Sequence, residues 1–418
     1  MPALLLRSPT AQRLRRRPLV IRTTHRRTYA LVGAALLAAT AGCAGNASSS
    51  SGSSSDDGPI VIGTSISLSG NTVLNQIRDG YLLAVQQANA EGGLEVGGKK
   101  RKVELKVLDN RSDTNTMVQQ VRSLVLTDKA VGLLGSCCQQ NIDMQGQADA
   151  LKVPLVMGAL PIELLPEGKG YTWDSFQSLA DGAKGFYEVA AGAKTNRKTL
   201  VVTNNDAQGT STGKLWAGTG EKAGFTVTAT KSVPTGTTDF SDVIKAGKSS
   251  GAQVLIASMT PPDCFAMWKQ MKALAYKPKV AIGLQCAQTP GWGDLGTLGD
   301  GTLVQLNWSD TAGLPDTDLI VEKYGKKYTN LTDLGSVALG LHEATILLDA
   351  IKAAGSTDTE AINKALSKST TVSAQGSVKF VDNKSVTPTF IGQWEDGAIK
   401  QVWPAKGGSP LASLSGLE

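Results

Sequence analysis

From residue 60 onward, short apolar β-prone runs alternate with segments of helical spacing, and the alternation occurs twice. Ile60–Ser65, Val103–Leu108, Val131–Leu134 and Leu155–Met157 read as strands. Between them, Arg78–Ala90, Thr116–Leu126 and Ile142–Leu151 read as helices. The first spaces Tyr81, Leu82, Val85 and Ala88 along one face and stops at Gly92-Gly93. Parallel strands need a crossover, and a crossover helix covers the sheet, so this rhythm predicts a parallel, helix-covered layer. After a less regular stretch at Pro161–Ser178 the rhythm restarts. Strands are predicted at Thr199–Thr203, Phe225–Val233, Val254–Ala257, Val280–Ile282 and Thr302–Leu306. The accompanying helices are Asp181–Ala193, Lys214–Ala223, Phe240–Ala246 and Cys264–Ala275. Two long helices, Asp318–Tyr328 and Val337–Ala354, precede a hairpin-like tail at Val378–Val381, Phe390–Trp394 and Ile399–Val402. The fold class is α/β, as two open layers.

The charge balance excludes one large class of partners. The formal charge is +6, yet eight of the 42 Lys+Arg lie in the first 43 residues, which hold no acidic residue. The remainder has 34 basic and 36 acidic residues, whereas a nucleic-acid binder needs a basic patch in its folded part. Residues 13–27 are strongly basic and lead into the apolar run Ala30–Ala41, then Gly42-Cys43, the pattern of a secretory signal over 1–42. Thr40-Ala41-Gly42-Cys43 resembles the lipobox of bacterial lipoproteins, which implies a lipid on Cys43 as the mature N-terminus. Residues 43–58 are Ser/Gly-rich and predict a flexible tether. No other segment reads as long and apolar enough to span a bilayer.

In open α/β sheets ligands bind beyond the carboxyl ends of the strands. The loops to inspect are 67–75, 136–141 and 158–161 in the first half, and 204–212, 260–263 and 285–289 in the second. They are rich in Ser, Thr, Asn and Gln; Asp206 and Asp263 are their charged residues, and none contains Lys or Arg. Two spellings mislead. Gly209-Thr-Ser-Thr-Gly213-Lys214 is one residue short of a phosphate loop, with Leu215 where Mg²⁺ would need a hydroxyl. Gly291-Trp-Gly293-Asp-Leu-Gly296 lacks the strand–turn–helix context of a dinucleotide site. Past the signal the single histidine, His342, reads as a helix residue, and no triad or metal site assembles around it. No cofactor or metal is expected. Cys264 opens a helix after one strand and Cys286 follows the next strand, so neighbouring parallel strands predict a Cys264–Cys286 disulfide. Cys137-Cys138 are then either a strained vicinal disulfide or two thiols.

An ordered set of motifs resembles the type I solute-binding proteins of ABC transporters, the family with branched-chain amino acid, amide and urea binders. Ile60-Val-Ile-Gly-Thr-Ser-Ile-Ser-Leu-Ser-Gly70 is similar to its opening strand and loop. Asp79-Gly80, Asn89-Ala90-Glu91-Gly92-Gly93, Leu108-Asp109-Asn110-Arg111-Ser112-Asp113, Thr237-Thr238-Asp239-Phe240-Ser241 and Ala353-Ala354-Gly355 follow collinearly. The resemblance implies two Rossmann-like lobes with parallel sheets, joined by a three-stranded hinge and closing on a ligand. Crossings are expected near Trp173–Gln177, Leu306–Ser309 and Ala374–Ser377. The first lobe then takes 59–174 and 308–375, and the second takes 175–307 and the C-terminal strands of 376–418. It also implies ligand-binding positions, carried onto Ser69, Ser136, Cys137, Cys138, Gln139, Ala159, Gln208, Thr260, Asp263 and Gln285. Some depart from the family: Gln285 stands where an acid pairs the ligand ammonium, Gln208 and Thr260 where aromatics stand, and 158–161 lacks the usual hydroxyl. Either Asp263 or Asp206 substitutes for the acid, or the ligand is neutral; Asp263 equally suits a helix cap.

The expected function is capture of a small polar, neutral or zwitterionic solute (amino-acid-, amide- or urea-like) by a monomer without catalysis. It would be lipid-anchored on the extracytoplasmic face of the cell membrane and hand the solute to permease subunits. A rival within the same fold is a sensor that presents its closed form to a membrane receptor kinase. A rival from another class is an exported α/β hydrolase using Asp206 and Asp263.

Overall fold

The computed structural model describes residues 58–418, apart from 169, 369, 406, 407, 409, 414–416 and 418, and apart from the side chains of 207, 285 and 290. The signal, Cys43 and nearly all of the tether lie outside the described residues.

The two predicted layers form as two sheets. The first has six parallel strands, in the order Lys384–Val386, Thr172–Phe176, Leu155–Met157, Leu133–Leu134, Ile60–Ile66, Val103–Asp109. The second has seven, in the order Ala398–Trp403, Phe390–Glu395, Leu303–Leu306, Val280–Gly283, Val254–Ser258, Lys198–Asn204, Thr226–Val233. Its last five strands are parallel, and the two C-terminal strands add antiparallel at one edge. Central strands such as Val254–Ser258 are buried along their whole length, as a sheet covered on both faces requires. The phosphate-loop look-alike Gly209–Lys214 lies inside the helix Ala207–Lys222, and the GxGxxG spelling lies in the 3₁₀ segment Pro290–Leu298.

The chain crosses between the sheets three times. The first crossing follows Phe176 and the second follows Leu306. The third differs from expectation. It follows Val386, because the strand Lys384–Val386 adds to the edge of the first sheet beside Thr172–Phe176. Asp174 donates its backbone N–H to Asn383 O at 2.9 Å, and Thr387 N–H donates to Phe176 O at 3.1 Å. Three residues reading Lys-Ser-Val carry no periodicity of their own, so only that non-local partner makes them a strand. Thr370–Ser373 and Gly376–Lys379, where the crossing was expected, instead pair with each other as a separate hairpin.

One reading of the sequence is corrected by the helix Leu331–Ala354. By length and composition it could cross a membrane, but 83% of its most apolar stretch is buried inside the fold. It crosses the helix Asn75–Ala90 at glycines on both sides. A Cβ on Gly340 would run into Ile77 O, and one on Gly80 would run into Val337 O and Leu341 N. The same helix carries His342, fully buried, with Nε2 3.0 Å from Ser175 Oγ. Beside it the buried Tyr81 hydroxyl donates to Glu343 Oε2 at 2.5 Å.

Two predictions follow from this packing. Gly340→Ala should destabilise by about 2 kcal/mol or more, since backbone cannot yield as a side-chain tip can. Gly146→Ala, on an open helix face with nothing within 4 Å of the added carbon, should be neutral or stabilise by up to about 1 kcal/mol. Urea midpoints of both variants check the contrast. Burial also depresses the pKa of His342 from 6.5 to about 3, so the unfolded chain binds one more proton between those values. Stability from the neutral imidazole is complete above about pH 6.5 and lost as pH falls toward 3. The carboxyls of Asp174 and Glu343, which burial pushes well up, act with the opposite sign and lose their contribution as pH rises. Between about pH 6 and 4 the wild type should lose stability relative to His342→Gln by up to about 1.4 kcal/mol per pH unit. Parallel urea-unfolding curves for the two proteins would refute this.

Candidate functional site

The first crossing leaves the carboxyl end of strand Thr172–Phe176, and the second leaves the carboxyl end of Leu303–Leu306. Gln177 ties these ends together. Its Nε2 donates to Leu306 O at 2.5 Å and lies 3.4 Å from Thr389 Oγ1 on the third crossing. Both sheets therefore turn their carboxyl ends, where open α/β folds bind ligands, toward the hinge. Glu163 adds a contact across the first crossing. Its carboxylate accepts from Ser178 Oγ at 2.6 Å and from Leu179 N–H at 3.0 Å, at the start of the helix Leu179–Gly192.

On the first lobe the rim is a network of neutral side chains. Gln140 Oε1 accepts from Ser136 Oγ at 2.7 Å, and lies 3.2 Å from both Ser67 Oγ and Asn110 Nδ2. Ser67 Oγ donates to Asn110 Oδ1 at 2.7 Å. Ser136 N–H donates to Asn141 Oδ1 at 2.7 Å, and Asn141 Nδ2 donates to Gly158 O at 2.5 Å, joining the loops 136–141 and 158–161. Ser136 is buried, Cys137 is 8% exposed, and Cys138 and Gln139 are exposed at the start of the helix Cys138–Leu151. Cys138 N–H reaches Ala159 O at 3.2 Å, and both residues have positive φ (55° and 51°). Ser69 sits apart from this cluster. Its hydroxyl donates to Asp109 Oδ2 at 2.6 Å, and that bond is the main cause holding the Asp109 carboxyl below its usual range.

On the second lobe the organising group is Asp263, 1% exposed. Its Oδ2 accepts from Asn204 Nδ2 at 2.8 Å and from Thr260 Oγ1 at 2.9 Å, and its Oδ1 accepts from Gly236 N–H at 3.0 Å. Asn204 Oδ1 in turn accepts from Thr260 N–H at 2.8 Å. Asp263 thus binds three loops to one another. Asp206 is exposed and caps the helix Ala207–Lys222, accepting from Gly209 N–H at 2.6 Å. Gln208 is exposed in the first turn of that helix. Gln285 lies in the short helix Leu284–Ala287, and its side chain is outside the described residues. The sulfurs of Cys264 and Cys286, both buried, are bonded at 2.15 Å and join this helix to the start of Pro261–Ala273. Among the described residues no group of three or more His, Cys, Asp or Glu could hold a metal ion.

Sequence reasoning gave no role to Asn110, Gln140, Asn204, Glu163 or Gln177. The available signal was weak. Asn204 ends its strand and Asn110 directly follows one, where a side-chain amide can tie neighbouring loops.

Comparison with known proteins gives a consistent picture. The family profile of periplasmic binding proteins matches residues 59–398. A Leu/Ile/Val-binding protein homolog from Brucella abortus is 26% identical over 372 residues, covering 82% of this chain and 91% of that protein. The substrate-binding protein LivJ of a branched-chain amino acid transporter from Streptococcus pneumoniae, solved with isoleucine, has a TM-score of 0.68 at 18% identity, covering 82% of this chain and 97% of that one. A solute-binding protein of an ABC transporter from R. palustris, solved with benzoate, has a TM-score of 0.65 at 16% identity, covering 82% and 96%. At such identities the structural likeness speaks for the two-lobed fold alone.

Asp263→Ala should lower stability by about 3 kcal/mol or more, because three donors, two of them from other loops, lose their acceptor. Asp206→Ala removes one exposed cap and should cost about 1 kcal/mol. Thermal unfolding of the two variants measures the difference, and equal losses would contradict the hub role of Asp263.

Proposed function

Because the chain belongs to the periplasmic binding protein family, we propose that it is a lipid-anchored solute-binding protein of an ABC importer. It acts on the extracytoplasmic face, closing two lobes on a small polar solute and presenting it to permease subunits. The observation that carries this reading is a pair of polar rims at the strand ends on either side of the three-crossing hinge, with Gln177 bonded across it. Their loops contain no Lys or Arg, so a multiply charged anion has no cation to meet.

The ligand class follows from what the rims leave available. Asp263 already accepts three hydrogen bonds from its own lobe and is held there as a hub, so a ligand ammonium would have to compete for it, and a buried ammonium without an anion is costly. The first lobe offers hydroxyls, amides and a helix start, which suit a carbonyl or a single carboxylate. Isoleucine and benzoate, held by the two structural relatives, each combine one carboxylate with an apolar body. The ligand proposed is neutral or zwitterionic and amino-acid-, amide- or urea-like.

A thermal-shift panel of leucine, isoleucine, benzoate, short amides, ureas and basic amino acids tests this. A true ligand at 100-fold excess over Kd adds about 2.7 kcal/mol to stability. Amides or neutral amino acids should shift the protein most; preferential stabilisation by lysine or arginine would overturn the ligand class. Cys43→Ser should release the protein from the membrane fraction, and unchanged membrane retention would overturn the lipid anchor.

A further inference from the structure

Two cysteines stand side by side in the first-lobe rim, and as ligand-binding positions they would use backbone groups and a helix start, which leaves their thiol chemistry without a task. Cys137 is the last residue before the helix Cys138–Leu151, extended (φ −152°, ψ 166°) and buried, while Cys138 opens the helix and is exposed. Both are free, although the same chain holds a Cys264–Cys286 disulfide. They are consecutive residues, one extended and one at positive φ (55°), on the two sides of the helix start. We propose that Cys137 and Cys138 form a thiol–disulfide exchange site for low-molecular-weight disulfides, in which exposed Cys138 attacks and buried Cys137 resolves.

The asymmetry supports these roles. The hydrogen bond from Cys137 lowers the pKa of the Cys138 thiol, and the same bond together with burial pushes the Cys137 thiol well up. The roles follow from access: Cys138 is exposed and is the one a dissolved disulfide can reach, whereas buried Cys137 is reached only through its neighbour. In the first step Cys138 thiolate attacks one sulfur of R–S–S–R, the S–S bond breaks, and RS⁻ leaves to take a proton from water. In the second, Cys137 loses its proton to solvent and attacks Cys138 Sγ, expelling a second RS⁻. Two protein thiols and one disulfide become one protein disulfide and two RSH.

Ring closure has a structural consequence. Adjacent Cα atoms stay about 3.8 Å apart across a trans peptide, below the ~4.4 Å at which ordinary disulfides begin, so a 137–138 disulfide closes a strained ring whose strain falls on the backbone torsions between the two residues. That backbone carries the Cys138 N–H bond to Ala159 O, and Ser136 next to it is bonded to Asn141, which holds Gly158. Oxidation thus rearranges both first-lobe loops, and the strain of the ring makes it easily reduced again. The placement of these loops at a ligand rim rests on the solute-binding reading; the thiol chemistry does not.

The test uses full-length protein, reduced, freed of reductant and incubated with oxidised glutathione before alkylation and peptide mass spectrometry. Wild type should lose two hydrogens from the peptide carrying both cysteines and hold no lasting adduct. Cys137→Ala should keep a glutathione adduct on Cys138, whereas Cys138→Ala should leave Cys137 unmodified. A lasting adduct on wild-type Cys138, no reaction at all, or modification of Cys137 in Cys138→Ala would each overturn the proposal. Amide hydrogen exchange on the oxidised protein should be about tenfold faster in peptides spanning 136–141 and 158–161. Unchanged exchange there would overturn the coupling to the loops. Both measurements need no solute, so a failed ligand panel and a failed exchange reaction are distinguishable.

Discussion

The fold depends on the hydrogen bonds at which three chain crossings meet. Gln177 donates from the first crossing to Leu306 O on the second and approaches Thr389 on the third, while Gln375 Nε2 reaches Asn307 O at 3.3 Å. Every parallel strand in a sheet points the same way, so fixing one strand end against its counterpart orients both sheets. The carboxyl ends, where open α/β folds bind ligands, then converge on the hinge as a consequence of topology rather than of any single loop. Hinge motion needs few residues to absorb the change in backbone angle, and these crossings are short.

Either side of the hinge, polar groups do structural work before they meet any solute. Asn204 and Asp263 knit the second-lobe loops, and Gln140, Asn110 and Ser67 knit the first. A polar group that binds protein is already desolvated and held, so closure has less freedom to remove when the ligand arrives. The same engagement limits chemistry. A carboxylate that holds three donors of its own lobe serves as a scaffold. Cys137 and Cys138 are the exception on the rim. Their thiols are free, and through Cys138 N–H they hold the neighbouring loop.

Much of this was legible in the sequence, and where it was not, the missing partner was distant along the chain. Strands such as Ile60–Ile66 and Val254–Ser258 announce themselves through apolar runs (Ile60-Val61-Ile62 and Val254-Leu255-Ile256-Ala257), because burial within a helix-covered sheet demands them. Lys384–Val386 has no such signature and exists as a strand only beside Thr172–Phe176. The candidate rim loops follow from strand ends, yet the sequence could not separate Asp263 as hub from Asp263 as ligand anchor. That distinction rests on Asn204 and Gly236 reaching the same carboxylate. His342 shows the same limit. Its helix was evident, but its burial against Ser175 was not.

Local chemistry thus determined the alternation of elements, the family resemblance, the basic leader with Cys43, and a set of rim loops poor in charge. Each rests on a short stretch of chain whose periodicity or composition suffices. Tertiary structure decided which polar side chains are spent on one another, where the third crossing falls, and that the apolar helix Leu331–Ala354 is a core helix packed at Gly80 and Gly340. The physical reason is that burial and hydrogen-bond partnership belong to pairs of residues, and the deciding pairs here are brought together only when the two sheets form.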